Sequence, residues 1–383
     1  MIFKKNIKTI ILGYGAGLFP LFLFTGPLIP EIFLIISIFF SWMIILKEKQ
    51  YKYVNKYFIF FCLFFLSTIF STLLNYYSFS SAKGGISYFR IPLFAFAIWF
   101  IFDNFKIFNK KIVFLYSSFL ILIISDSILQ YFTGENITGN EILNYRISSF
   151  FGDELVLGGF LIRLIPVYLV FLIMSDSISE GKINILHTFL ISLACLIIYL
   201  SGERTSFFLL VLFFCIIFLC IKYLRKLIFI ISIISIFLSF SVPFLKNSQE
   251  LDPAKRMFSH TYEQLVGRGE GHYQEHKKKL FGKVYIFSHD HHGHYVLSLK
   301  IIKDYPIFGT GARGFRYLCR NKIYILENND GCSTHPHNTY LQIFTSNGIV
   351  GFSLLLFAFF YIVLEILKLR KKINLENNFN KYE

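Results

Sequence analysis

From Leu227 to Leu245 the chain reads L-I-F-I-I-S-I-I-S-I-F-L-S-F-S-V-P-F-L, nineteen residues without a charge. Lys222, Arg225 and Lys226 stand before it, and Lys246 follows directly. A helix that crosses a bilayer needs about 20 mostly apolar residues, and a backbone in lipid must satisfy its own polar groups. The stretch therefore predicts a transmembrane helix and excludes a sheet within the membrane. Working outward, comparable windows run Ile10 to Thr25, Leu28 to Leu46, Tyr57 to Asn75, Ile86 to Phe102, Ile112 to Phe132, Leu155 to Met174, Ile185 to Ser201, Thr205 to Ile221 and Ile349 to Leu367. Hydrophobic residues make up 55% of the chain and charged ones 16%, and the charges fall between the windows. The fold predicted is all-α, a polytopic membrane helix bundle of about ten transmembrane helices with one large extracytoplasmic loop. The segment order is nine helices in 1–245, the loop in 246–337, a loop-end helix and last span in 338–367, and a cytoplasmic tail in 368–383. The first span follows Lys4, Lys5 and Lys8 as a signal peptide would, but lacks a small-residue cleavage site and is read as retained.

A net charge of +15 raises the question of nucleic acid. Positions decide against it. Half of the 38 Lys and Arg residues lie in alternate connections, which the positive-inside rule assigns to the cytoplasm together with both termini. The remaining basic density sits in the ninth connection. From Lys246 to His337 there are 92 residues without a span, carrying 14 Lys and Arg residues. Long translocated segments escape the positive-inside rule, and loops of this length are usually functional. Nine of the ten histidines gather there: His260, His272, His276, His289, His291, His292, His294, His335 and His337. Cys319 and Cys332 are the cysteines that would meet an oxidising compartment. They are either a disulfide, worth about 3 kcal/mol by chain entropy, or two unrelated thiols.

Charges at or in the bilayer single out further residues, because a cation at a helix centre costs about 2.5 to 3.5 kcal/mol on insertion scales. Arg90 stands in S-Y-F-R-I-P-L-F near an outer helix end, where it can snorkel. Arg163 lies deeper, in G-F-L-I-R-L-I-P-V. The turn S-G-E-R-T-S, Ser201 to Ser206, sets Arg204 at the mouth of the bundle or in a local ion pair with Glu203. Arg146 lies in the preceding outer loop, N-Y-R-I-S-S-F-F-G-D-E. Guanidinium forks suit phosphate oxygens, so the arginines point to an anionic head group on an apolar tail, such as a lipid-linked diphosphate.

The loop ends in H-P-H-N-T-Y-L-Q-I-F-T-S-N-G-I-V-G-F, His335 to Phe352, and runs straight into the last span. With S-G-E-R-T-S and with D-Y-P-I-F-G-T-G-A-R-G-F-R, Asp304 to Arg316, this resembles the family of O-antigen ligases and polymerases, membrane glycosyltransferases acting on undecaprenyl-diphosphate-linked glycans. The resemblance covers about residues 140 to 365, and one span after the loop is fewer than many members have. It implies that His337 is the essential loop histidine and Arg204 the essential arginine, with Arg146 a further diphosphate contact. It also implies a bacterial inner membrane protein with its active site facing the periplasm.

The chemistry demands the same residue types. An acceptor sugar hydroxyl needs a base near neutral pH, worth about 10² to 10⁴ in rate, which suits His337. The departing diphosphate needs fixed cations, which suits Arg204 with Arg146, Arg163, Arg313 and Arg316. His294, His335, Asn338, Tyr340 and Gln342 are candidates for binding the acceptor, although Asn338, Tyr340 and Gln342 equally suit a helix cap. The run S-H-D-H-H-G-H, Ser288 to His294, is open to a metal, a solvated loop or substrate contact. Its spacing is tight for one ion, and neither metal nor cofactor is expected. The expected partners are an undecaprenyl-diphosphate-linked glycan, an acceptor glycolipid such as lipid A-core, and membrane lipids. A polymerase joining repeat units uses the same chemistry. A transporter or flippase of a lipid-linked anion is the reading from another class, and no inverted repeat supports it.

Overall fold

The computed structural model describes residues 7–75, 79–105, 107–143, 146–178, 184–246, 255–259, 262, 289–324 and 332–379. The α-helices, in chain order, are α1 (Ile7–Phe22), α2 (Leu28–Lys47), α3 (Lys56–Leu74), α4 (Phe79–Ser87), α5 (Arg90–Asn104), α6 (Lys110–Thr133), α7 (Leu157–Met174), α8 (Ile185–Leu200), α9 (Arg204–Cys220), α10 (Arg225–Lys246), α11 (His289–Asp304), α12 (Gly314–Leu318) and α13 (Thr339–Phe379). Among the described residues the only pairing of strand type is two isolated bridges, Glu135 with Glu141 and Leu143 with Arg146. The protein is a polytopic helical membrane protein.

Among the described residues, seven helices are long and apolar enough to cross a membrane, and three shorter apolar ones, Ile11–Thr25, Ile185–Leu200 and Arg204–Cys220, fall on the other expected spans. Those three are shorter than a full bilayer crossing. The 16 residues of α8 rise about 24 Å, against a hydrocarbon core of about 30 Å. The chain turns at Ser201–Glu203 before a longer helix is complete.

Local chemistry explains several ends. Asn55, Asn109 and Asn184 each accept two backbone N–H bonds at the starts of α3, α6 and α8. Each is an Asn cap beside a basic connection, satisfying donors that the first turn leaves open. Gly134, with φ +96°, closes α6 in the left-handed conformation.

The chain divides into two compact units: Met1–Leu34 with Ile101–Glu263, and Ile35–Phe100 with Gln264–Glu383. In the first unit α8 is the hub, packed against α6, α7, α9 and α10. Its side chains from Leu190 to Leu200 are buried but for Leu193. By contrast α10 exposes Phe237, Phe240, Phe244 and Leu245, an apolar surface of the kind that lipid covers. Two buried polar side chains of α6 organise the connection from α6 to α7. Asp126 accepts from the Ile137 N–H at 2.9 Å and from the Ser149 hydroxyl, and Gln130 accepts from the N–H groups of Ser148 and Ser149 at 2.9 and 2.7 Å.

In the second unit α13 packs against α3, α11 and α12. The expected loop 246–337 is not without structure, since α11 and α12 lie within it. The histidine run opens α11 rather than forming a loop, while Ser288 and the earlier His260, His272 and His276 lie outside the described residues. Helix α13 is broken at Gly348 (φ +60°, ψ −162°), one residue before the expected last span. Residues 306–312 fill the break. Thr310 and Gly311 donate to the carbonyls of Thr345 and Ser346 at 2.7 and 2.8 Å, and Ile349 donates to Pro306 at 2.8 Å. From α3, the Ser71 hydroxyl donates to the Ser346 carbonyl, Thr72 accepts from the Ala312 N–H, and Thr68 accepts from the Asn347 amide. Non-helical backbone at membrane depth survives only where protein satisfies it, and these bonds do so.

Candidate active site

In the first unit the site grows from the turn between α8 and α9. Glu203 reaches back to the start of α7, where its two oxygens accept the Gly158 and Gly159 N–H groups at 2.7 and 2.8 Å. A carboxylate at a helix N-terminus meets open donors and the positive end of the helix dipole. The glycines permit the approach: a methyl group on Gly158 would stand 2.6 Å from the Ser201 hydroxyl and 3.1 Å from the Glu203 carboxyl carbon. The same carboxylate accepts the Ser206 hydroxyl at 2.9 Å and lies 3.5 Å from Arg146 Nη2.

Arg146 is clamped on three sides. Its Nε donates to the Ser201 carbonyl at 3.2 Å and its Nη2 to the Leu155 carbonyl at 2.7 Å. Burial pushes this guanidinium down from its usual value, Glu203 opposes that, and Arg204 adds to it by like-charge repulsion. The repulsion places Arg146 and Arg204 in one electrostatic neighbourhood. Glu203 is mostly buried and serves the start of α7, Ser206 and Arg146. Arg163, expected deep in its span, lies on an exposed face of α7 and turns back one helical turn to donate to the Gly159 carbonyl at 2.6 Å. Its Nη1 and a Glu203 oxygen flank Gly159, at 3.2 and 3.3 Å from where a methyl group would stand. Arg146 thus pairs with the carboxylate, Arg163 flanks Gly159 beside it, and Arg204 lies near Arg146. Arg90 begins α5 and satisfies the Ser87 carbonyl at 2.7 Å.

In the second unit the histidines converge. The His337 ring lies 4.8 Å from that of His294, stacked, and 4.2 Å from that of His335. His294 comes from α11, and the other two come from the turn before α13. His337 has φ +52°, a left-handed conformation rare for a residue with a side chain. Such strain concentrates where a side chain must be aimed. His337 is exposed, and the Thr334 hydroxyl is 2.8 Å from His335 Nδ1. Asn338 accepts the N–H groups of Tyr340 and Leu341 at 3.0 and 3.1 Å, so it caps α13, the alternative left open for it. Tyr340 is exposed, and Gln342 donates its backbone N–H to the Asn338 carbonyl.

Arg313 and Arg316 flank and belong to α12, respectively. Arg313 is also left-handed, φ +63°, and its Nε lies against Gly84 of α4, 3.0 Å from where a methyl group would stand. The Nε of Arg316 is buried without a hydrogen-bond partner among the described residues. Cys319 and Cys332 are joined as a disulfide.

Of the expected site residues, Arg146, Arg204 and Arg163 meet in the first unit, and His294, His335 and His337 in the second. Sequence reading missed Glu203 as the organiser, the Gly158–Gly159 pair that admits it, and Asp126 and Gln130, which hold the loop bearing Arg146. A glycine pair at a helix entry was the available signal.

The chain is thus a helical membrane protein that carries a histidine cluster in one unit and arginines gathered near Glu203 in the other. Among the comparisons, residues 294–356 match the family model described as O-antigen ligase, a likeness that supports the O-antigen ligase and polymerase family. No curated protein and no solved structure matches the chain. The matched segment begins at His294 and includes His335, His337 and the break at Gly348.

Proposed function

We propose that the chain is an O-antigen ligase-like glycosyltransferase that moves glycan from an undecaprenyl-diphosphate carrier to an acceptor sugar hydroxyl, as on lipid A-core, at the periplasmic face of a bacterial inner membrane. The observation that carries this reading is the histidine cluster, His337 between His294 and His335, inside the segment that matches the O-antigen ligase model. The Cys319–Cys332 disulfide supports an extracytoplasmic loop, since such bonds persist in oxidising compartments.

The acceptor hydroxyl attacks the anomeric carbon while His337 takes its proton. The bond from that carbon to the diphosphate oxygen breaks, and the lipid diphosphate departs with the electron pair. Arg204 and Arg146 meet the developing negative charge, with Arg163, Arg313 and Arg316 in support. Preset cations do this best when they need no reorganisation, and the bonds that clamp Arg146 supply that rigidity. A diphosphate leaves readily, so the mechanism calls for no separate acid and no metal. His294, His335, Tyr340 and Gln342 face the acceptor, and Asn338 sets the helix on which the turn rests.

The test is expression of wild type, His337→Ala and Arg204→Ala at matched membrane abundance in a Gram-negative host lacking its own ligase, with a compatible glycan pathway. A ladder on lipid A-core with wild type alone supports the reading. Longer glycans that stay on the carrier identify a polymerase, and translocation without a covalent product identifies a flippase.

A further inference from the structure

We infer that the Cys319–Cys332 disulfide is a positioning element of the histidine cluster, so that transfer requires an oxidised loop. The inference rests on the reading of His337 as the base. Helix α11 presents His294, Leu297 and Ile301 at spacings of three and four, hence on one face. Leu297 and Ile301 are fully buried with Phe315, Leu318, Cys319 and Tyr324, and Cys332 packs against this core. The disulfide therefore fastens the strand leading to His335 and His337 onto the same core that seats α11, one turn from His294.

The two sides of His337 are held differently. Downstream, Asn338 caps α13, and α13 is locked by the residues that fill its break at Gly348. Upstream, the bonds near the turn are the Ser333 hydroxyl to the His335 carbonyl, Thr334 to His335, and a 3.7 Å contact of the Ser333 carbonyl with Cys319 Sγ. The covalent link from Cys332 to Cys319 holds that contact in place and ties the upstream side to α12. The core itself keeps its apolar contacts and the 2.6 Å bond from the Tyr324 hydroxyl to Asp304 when the link is cut. Cutting it should loosen the ring stack while leaving the fold standing.

The experiment uses the full chain purified into lipid nanodiscs, with undecaprenyl-diphosphate-linked glycan and lipid A-core from a ligase-deficient strain. Dithiothreitol reduces the bond to two thiols and is itself oxidised to its cyclic disulfide, and mass spectrometry without reductant verifies each state. Because a misplacement of about 1 Å can cost about 100-fold in rate, reduction is expected to lower kcat about tenfold with the donor KM moving less than about twofold. Reoxidation should restore kcat. The double variant Cys319→Ser with Cys332→Ser should sit at the reduced rate and ignore dithiothreitol.

An equal kcat in all states, with His337→Ala inactive in the same assay, overturns the positioning role and leaves the base intact. A rise in donor KM at constant kcat, or a loss that reoxidation does not reverse because the protein has aggregated, also overturns it. If His337→Ala keeps the full rate, the reading of the base fails and this inference falls with it.

Discussion

The guanidinium cluster and the histidine cluster hold their side chains by opposite means. Around Glu203 every restraint is a hydrogen bond or ion pair between ends of packed helices, and Arg146 is fastened to two backbone carbonyls and a carboxylate. Around His337 the restraints are a left-handed backbone, ring stacking, a helix cap and a disulfide. The difference matches the work proposed for each. Cations that stabilise a leaving diphosphate act best when preset and immobile, whereas a base must sit on a turn that an acceptor glycan can reach.

Substitutions can break this comparison at several strengths. The largest effect is expected at Gly348, where a methyl group would stand 2.2 Å from the Ile307 carbonyl oxygen at φ +60°. Gly348→Val should prevent the second unit from assembling, read as loss of a protease-resistant fragment containing α11 to α13. His337→Ala should leave that fragment intact and lower transfer by about 10² to 10⁴, measured on the lipid A-core ladder. Arg204→Ala should match it, and Arg204→Lys should recover little if the planar fork matters.

Glu203→Ala comes next. It leaves the Gly158 and Gly159 N–H groups without their acceptor and Arg146 without its carboxylate partner, so a stability loss of about 1 to 3 kcal/mol is expected. Thermal unfolding in detergent measures it, and transfer should fall with it because Arg146 keeps only its two carbonyl bonds. Glu203→Gln keeps an acceptor and should lose less. The smallest effect belongs to Asn338. Asn338→Ala should cost about 1 kcal/mol as a lost cap, and Asn338→Asp should restore it. An unchanged stability in Asn338→Ala with a raised acceptor KM would instead return Asn338 to the acceptor groove.

Most of the first cluster's residues were visible in the sequence, yet their relations were not. Arg146, Arg163 and Arg204 announced themselves as charges where charge is costly. Glu203 did not, because a carboxylate next to an arginine in sequence looks like its partner. Its contacts with Gly158, Gly159 and Arg146 lie 45, 44 and 57 residues away in the chain. The histidines were visible as a crowd, and the crowd misled: the dense run at Ser288 to His294 contributes His294, while His335 and His337 come from a separate turn.

Hydropathy by itself determined the class of fold, since runs of about 20 apolar residues have no stable place except as helices in lipid. Charge placement set which connections the positive-inside rule assigns to the cytoplasm, and residue types at the loop end carried the resemblance to O-antigen ligases and polymerases. Only the tertiary structure decided that Glu203 reaches Gly158 and Gly159 at the start of α7, that α13 breaks at Gly348 around residues 306–312, and that His294 joins His335 and His337. Those features depend on donors and acceptors far apart in the chain finding one another. Local composition carries no information about such pairings, because they are stabilised by geometry that exists only once the helices have packed.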